Sequence, residues 1–403
     1  MFRSRSGTDP HAVSPALRGG LRHARFPESL ARYRGLAARS RFMLLLALLA
    51  AVPAPVRYTP RTERHLLYVA SPGTRNYLEY GGVGILVFDI DDGYKFVRRI
   101  PTWRAVEGKP VENVKGIAAS ATTGRVFVSS LTRVIAIDAV TGRAIWDKPY
   151  EGGTDRLAIS PDGATLYVPQ FEGPSWHVVN AATGDVISTI ETKSGSHNTI
   201  YSADGQRVYL AGLRSTYLSV VDPKQRTVTS TVGPFADVIR PFTVNGSNTL
   251  AFVNINGLLG FEVGDVRTGK TLHRVEVSGY AQGPVKRHGC PSHGIAMTPD
   301  EKELWLADCA NSAIHLFDAT VMPPRQTASI AMRDCVGWVS FSMDGRTAYS
   351  STGEMIDVAT RAVVAVLKDE EGRLVQSEKM LDLVIADGKV TRAGNQFGVG
   401  ARL

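Results

Sequence analysis

Cysteine is scarce in this chain, three in 403 residues, and the three form neither a Cys-x-x-Cys pair nor a Cys-x-x-Cys-His run. That spacing excludes a paired-thiolate zinc motif and covalent haem attachment. Also missing are a His-Glu-x-x-His zinc helix, a Gly-x-Ser-x-Gly nucleophile elbow and a phosphate-cradling P-loop, and the common zincin, serine-hydrolase and nucleotide chemistries go with them. Gly81-Gly82-x-Gly84 is the nearest approach to a dinucleotide fingerprint. It follows a loop, not a strand that opens a helix, so its glycines serve a turn. No apolar run reaches the roughly twenty residues of a membrane-spanning helix. The longest, Met43–Ala54, is about a dozen residues and ends in small side chains.

Positive charge is present but badly distributed for a nucleic-acid binder. Of the formal net charge of +8, residues 1–41 supply +7, nine arginines against two acids. The rest of the chain is close to neutral, so nucleic acid is not an expected partner. The basic leader running into the apolar segment reads as a secretory signal cleaved near residues 51–56, and a membrane contact follows only if residues 43–54 persist as an anchor. The expected location is extracytoplasmic, periplasmic or secreted. No cysteine closes the apolar run, so lipoprotein attachment is not expected.

What the sequence has in abundance is repetition. A phrase of about forty residues recurs as ISPDGATLYVPQFEGPSWHVVNAATGDVISTI (159–190) and YSADGQRVYLAGLRSTYLSVVDPKQRTVTSTV (201–232), with weaker copies at 122–146, 298–320 and 342–367. Each reads as a strand, an Asp-Gly turn, a strand with an aromatic-aliphatic pair, a loop, and a hairpin closed by Thr-Gly or an equivalent. One four-stranded blade cannot bury both faces, so blades must stack, and this period predicts an all-β propeller. Inner strands begin at Lys115, Asp155, His197, Arg240, His293 and Gly337, giving six blades. The seventh needs both ends of the chain. Segments 64–71, 84–90 and 94–100 have the pattern of second, third and fourth strands, and 379–388 that of the missing first. Pairing them removes two open sheet edges. The expected organisation is a leader over 1–56, one seven-bladed beta-propeller over 57–391, a tail over 392–403, and a monomer.

At Leu67–Val69, Ser160–Val168, Val178–Ile190 and Ser202–Leu210 the chain resembles the YVTN-type beta-propeller repeat proteins. The resemblance covers most of 64–388 and implies the fold. The wider YVTN and lactonase-like group holds binding and surface proteins alongside lactonases, lyases and haem- or quinone-associated propellers, and no catalytic signature transfers to this chain residue by residue.

The repeat alignment divides the disc into two rims. Asp-Gly turns and Thr-Gly hairpins occupy one; the other receives the long connections 75–83, 101–114, 171–175 and 278–292. Such loops on a rigid scaffold are where recognition or catalysis is expected. Around the channel mouth on that rim the alignment places Lys115, Asp155, Arg156, His197, Asn198, Arg240, His293 and Trp338, and the second-strand ends add Gln170, Glu172, Arg214, Asn254 and Asp308. Lys115, Arg156, His197, Arg240, His293 and Trp338 are the candidate ligand-binding residues. The arginines suit an anionic small molecule, or they pair with Asp155, Glu172, Glu79 and Glu107 in a solvated ring. His197, His293 and Asp308, with His288, Cys290 and Cys335 nearby, are the candidate ligands for a divalent metal, zinc, copper or calcium; otherwise these side chains merely line the channel. Cys290, Cys309 and Cys335 share the rim, and a Cys290–Cys309 disulfide within one blade is expected, with three buried thiols as the alternative. The functional expectation is a module that binds a small ligand or a protein partner at this mouth; the alternative is a metal-dependent lactonase- or lyase-like enzyme acting on an anion there.

Overall fold

The computed structural model of the protein describes residues 63–103, 108 and 111–401, all within one compact unit. The leader, its proposed signal and Glu107 of the second long loop lie outside the described residues. Seven antiparallel sheets are present. Six are four-stranded blades formed in sequence order over 116–149, 158–191, 196–232, 239–276, 292–331 and 339–366, here the second to seventh blades. The remaining sheet, the closing blade, joins Glu63–Ser71, Gly84–Asp89 and Lys95–Ile100 to the C-terminal strand Met380–Ala386, with Leu67 paired to Asp382. Two single-turn 3-10 segments, Leu78–Tyr80 and Ile90–Asp92, are the helical structure among the described residues. None of it is long enough to cross a membrane.

The core is the set of layers between blades. Each of the seven buried clusters draws on two adjacent blades, one of them extended by Trp338 and Phe397: Tyr68, Val87 and Leu381 meet Ile117 and Val128, while Tyr349 and Met355 meet Leu67 and Phe88. One aromatic from the second strand position of every blade anchors these layers: Tyr68, Phe127, Tyr167, Tyr209, Phe252, Trp305 and Tyr349 are all at most 1% exposed. A buried hydroxyl needs a partner, and three of these tyrosines find theirs in the next blade. Tyr68 donates to the Ala139 carbonyl at 2.8 Å, Tyr209 to Asn248 Oδ1 at 3.0 Å and Tyr167 to the Pro223 carbonyl at 3.4 Å.

The minimal turns are held by a repeated side-chain device. In Ser160-Pro-Asp162, Ser202-Ala-Asp204, Thr298-Pro-Asp300 and Ser342-Met-Asp344 the hydroxyl donates to the carboxylate, which also accepts the backbone N–H two residues on. This turn locks locally, without help from the rest of the fold. Asp300, Asp344 and Gly345 line one crevice with Ala359 and Arg361 of a fourth-strand hairpin, so both turn types share a rim.

The chain beyond residue 391 turns inward. Lys389–Ala393 adds a fifth strand to the closing blade, inside Met380–Ala386, and the residues after it cross the turn-side end of the channel. Gln396 accepts from the Ile117 N–H and donates to the Leu157 carbonyl, both at 3.0 Å. Its carbonyl accepts from Trp338 Nε1 at 2.8 Å, and the Gly398 carbonyl accepts from the Met297 N–H at 2.8 Å and from the Thr243 hydroxyl. Gln396 and Phe397 are buried. This segment ties five blades together and makes the channel blind-ended.

Asp382, on the closing strand, is 5% exposed; Oδ2 accepts from the Met343 N–H at 3.0 Å and Oδ1 has no partner. Burial pushes its carboxyl up to about 6. An acid whose pKa is higher folded than unfolded, about 3.9, binds more protons in the native state between those values, so stability falls as pH rises from about 4 to about 6. Asp382→Asn is expected to raise stability at pH 8 by about 3 kcal/mol and to leave it nearly unchanged at pH 4. Urea midpoints at the two pH values test this, and an equal difference at both would contradict it.

Candidate functional site

Three of the site side chains are presented by the same backbone irregularity. The first strands of the fourth, fifth and sixth blades each carry one extra residue against their neighbour: between Ser196 and Asn198, between Ile239 and Phe242, and between Ser292 and Ile295. These bulges contain His197, Arg240-Pro241 and His293-Gly294. A bulge bends the strand and re-aims a side chain, and here it turns three side chains toward the channel mouth. Proline is tolerated in the bulge because no ladder hydrogen bond is due from it. Gly294 is required by crowding: a Cβ there would lie 2.7 Å from Trp338 Cα.

His197, Arg240 and His293 line one cavity of about 230 Å³ with Arg75, Lys115, Arg156, Arg287, His288, Glu378 and Lys379, walled by Phe171. Its contributors come from the long loops and inner strand starts, the rim opposite the crevice of Asp-Gly turns. Trp338 lies beneath it, 2% exposed, and supports Arg156, whose guanidinium stacks 3.5 Å from the indole ring. The same indole donates to Gln396, so the floor of the site rests directly on the C-terminal plug.

Two buried ion clusters organise the cavity. In the first, Asp155 is fully buried; His197 Nδ1 donates to its Oδ2 at 2.6 Å and Lys115 stands 3.5 Å from its Oδ1. Burial pushes the Asp155 carboxyl up, but the charges of His197 and Lys115 outweigh it and hold the group below its ordinary value. Burial lowers His197 against the pull of Asp155. His197 and Lys115 thus flank one buried carboxylate, each on its own oxygen. In the second cluster Glu378 receives Arg156 and Lys379 on Oε2, the latter at 2.8 Å, and His288 Nδ1 on Oε1 at 3.0 Å. Burial acts to raise Glu378, yet Lys379, His288 and Arg156 together hold it well below the carboxylate range. Lys379, which also donates to the Gly73 carbonyl, is brought down to about 7 by burial, against Glu378. His288 stacks on His293 with ring centres 4.7 Å apart, and burial, then the neighbouring His288, holds His293 well below its usual value. Gly337 makes room for this stack; a Cβ there would lie 2.3 Å from the His288 ring.

Positive charge is in excess. Arg75, Lys115, Arg156, Arg240, Arg287 and Lys379 face Glu172 and Glu378 across the cavity, with Asp155 buried below and Asp334 3.3 Å from Arg287. Arg240 spends its bonds on Asn256 Oδ1 and the Gly289 carbonyl, and Arg75 on the Arg287 carbonyl. Neither has a carboxylate partner among the described residues. Arg156 Nη1, His288 Nε2 and both amide atoms of Asn198 are buried without hydrogen-bond partners.

Of the residues singled out from sequence, the cavity gathers Lys115, Arg156, His197, Arg240 and His293, and not Trp338 or Asp308. Asp308 accepts from His315 Nε2 at 3.1 Å and from Asn311 inside its own blade. Among the described residues the His/Cys/Asp/Glu groups close enough to share an ion contain neither His197 nor Asp308; one is His288, His293 and Glu378, within 4.8 Å of one another. A dication there would meet a carboxylate already neutralised by Arg156 and Lys379, so the charge balance favours an anion. The disulfide also differs from expectation. It joins Cys309 to Cys335, and Cys290 is a buried thiol, raised to about 12 by burial, that donates to the Ser292 carbonyl. Cys309 follows the second strand of one blade and Cys335 precedes the first strand of the next, so the bond crosses between blades on the loop rim.

Glu378 and Lys379 were missed by sequence reasoning, although a signal for them existed. They directly precede the strand Met380–Ala386 of the closing blade, as Lys115 precedes Gly116–Ser120, and stand beside the first-strand positions that His197, Arg240 and His293 hold in other blades. The same alignment rule, carried to the closing blade, finds them.

No family model matches the chain, and no curated protein matches it. Among solved structures, the hydrazine synthase of Kuenenia stuttgartiensis is similar over 62% of this chain and 96% of that one, at 16% identity and a TM-score of 0.42. That likeness is too loose to carry an argument.

Proposed function

We propose that this propeller is an extracytoplasmic recognition module that binds a small anion carrying two or more carboxylates at the loop-side mouth of its channel. The observation that supports this reading best is the convergence of six cationic side chains on one cavity in which Arg75 and Arg240 lack a carboxylate partner among the described residues. Guanidinium forks recognise carboxylates bidentately. The buried, unpartnered Arg156 Nη1 adds a donor that a ligand oxygen would satisfy. At about 230 Å³ the cavity is smaller than the roughly 300–1,000 Å³ of pockets for drug-sized ligands, which favours a compact metabolite. The basic leader and apolar segment support export, and the plugged far end supports capture over passage.

Calorimetric titration with citrate, succinate, oxalate and inorganic phosphate tests the reading. Arg240→Ala is expected to weaken the best binder about 10- to 100-fold. Arg346→Ala, at an exposed turn on the other rim, should leave affinity unchanged, and added salt should weaken binding. Equal affinity in the Arg240 and Arg346 variants, or no binding by any of the four probes, would overturn the proposal.

A further inference from the structure

Sharing His288 with the wall of the anion cavity is a second group of donors, whose two sulfurs the proposed binding does not use. A ring nitrogen of His288 and the sulfurs of Cys309 and Cys335 all lie within 4.8 Å of one another. The His288 side chain is 7% exposed and its Nε2 is buried with no hydrogen-bond partner. Cys309 and Cys335 are 4% and 7% exposed. In the oxidised chain the two sulfurs are bonded to each other and hold no ion.

We propose that the reduced chain carries a zinc site formed by Cys309, Cys335 and His288, with a water in the fourth position. Zn–S bonds of about 2.3 Å and Zn–N bonds of about 2.0 Å at tetrahedral angles put donors about 3.5–3.8 Å apart; His288 already stands within 4.8 Å of both sulfurs, and the sulfurs move apart to that spacing once their bond is reduced. The balance is simple. A dithiol or phosphine reductant supplies two electrons, and two protons come with them, so that the S–S bond becomes two thiols. Zinc then displaces both thiol protons to solvent. Two thiolates offset the dication, which matters here because Arg156, Lys379 and Arg287 already surround His288 with positive charge. The neighbouring group His288, His293 and Glu378 brings a single carboxylate that two cations already occupy, so the thiolate set is the one that charge allows. In the reduced chain the ion would replace the covalent link between the sixth and seventh blades and fix the loop that carries His288 over the cavity.

The test compares oxidised and phosphine-reduced full-length chain, both stripped of metal by a chelator, in a zinc titration against a colorimetric competitor. The expected result is one zinc per reduced chain and binding at least ~100-fold weaker in the oxidised chain. Cys335→Ser and His288→Ala, both reduced, should each lose at least ~10-fold in affinity, and reduced Cys290→Ser should bind as the unaltered chain does. Cobalt added to the unaltered reduced chain supplies a reading that no variant's folding can confuse: thiolate-to-cobalt charge transfer with tetrahedral ligand-field bands. Equal zinc binding in both redox states, an octahedral cobalt spectrum without charge transfer, or loss of the site in Cys290→Ser would each overturn the proposal.

Discussion

Replacing Glu378 with alanine is expected to cost about 3–5 kcal/mol of stability, because it strands the Arg156 guanidinium inside the protein. The pair is almost dry, its side chains 3% and 6% exposed. Lys379 can escape the loss by releasing its proton, being already held near 7, but an arginine cannot. The effect should also depend on pH in a defined direction. Glu378 is held well below its unfolded value of about 4.3, so its contribution is complete above that value and disappears as pH falls through the folded one. The gap in urea midpoint between the unaltered chain and Glu378→Ala is thus widest near neutrality and closes in acid. Formate, the smallest carboxylate, is expected to restore part of the lost stability to Glu378→Ala and none to Arg156→Ala. A variant that unfolds at the same urea concentration as the parent at pH 7 would show that the ion pair does not hold the mouth together.

Truncation after Ala393 is the second large perturbation. It removes Phe397, buried at 4% exposure, and the partners of the Ile117 N–H, the Leu157 carbonyl and the Trp338 indole. Burial of one phenylalanine alone is worth about 1.5–3 kcal/mol, and water entering the opened channel compensates the freed polar groups only in part. A loss of about 3–5 kcal/mol is expected. Because Trp338 loses its anchor while still carrying Arg156 on its other face, binding of the carboxylate probe should weaken as well, although the truncation touches no residue of the cavity. Urea unfolding and calorimetry on the truncated chain check both effects. Unaltered affinity would mean that the plug and the mouth are mechanically independent.

The blades were legible in the sequence because what builds them is local. The Ser-x-Asp-Gly and Asp-x-x-Thr turns close within about six residues, and the aromatic of each second strand recurs at a fixed distance from its turn. For the same reason the sequence could place Lys115, His197, Arg240 and His293 on one rim: each occupies the same step of a repeating unit. Ring closure was also readable, since the first strand absent before Arg64 appears after Glu378, and the observed pairing of Leu67 with Asp382 joins those segments.

Which polar groups meet is another matter, and only the closed ring decided it. Arg156 and Glu378 are 222 residues apart, Trp338 and Gln396 58, and Gln396 and Leu157 239. Nothing in a period of forty encodes contacts across the axis, because the repeat fixes each blade's own turns and not what faces it over the channel. The disulfide illustrates the division. Sequence put three cysteines on one rim; the gap between neighbouring blades selected Cys309 with Cys335, while Cys290 spends its thiol on the Ser292 carbonyl. Local periodicity therefore determined the disc and the face on which chemistry collects, and long-range packing of charges that must be paired when buried determined the site itself.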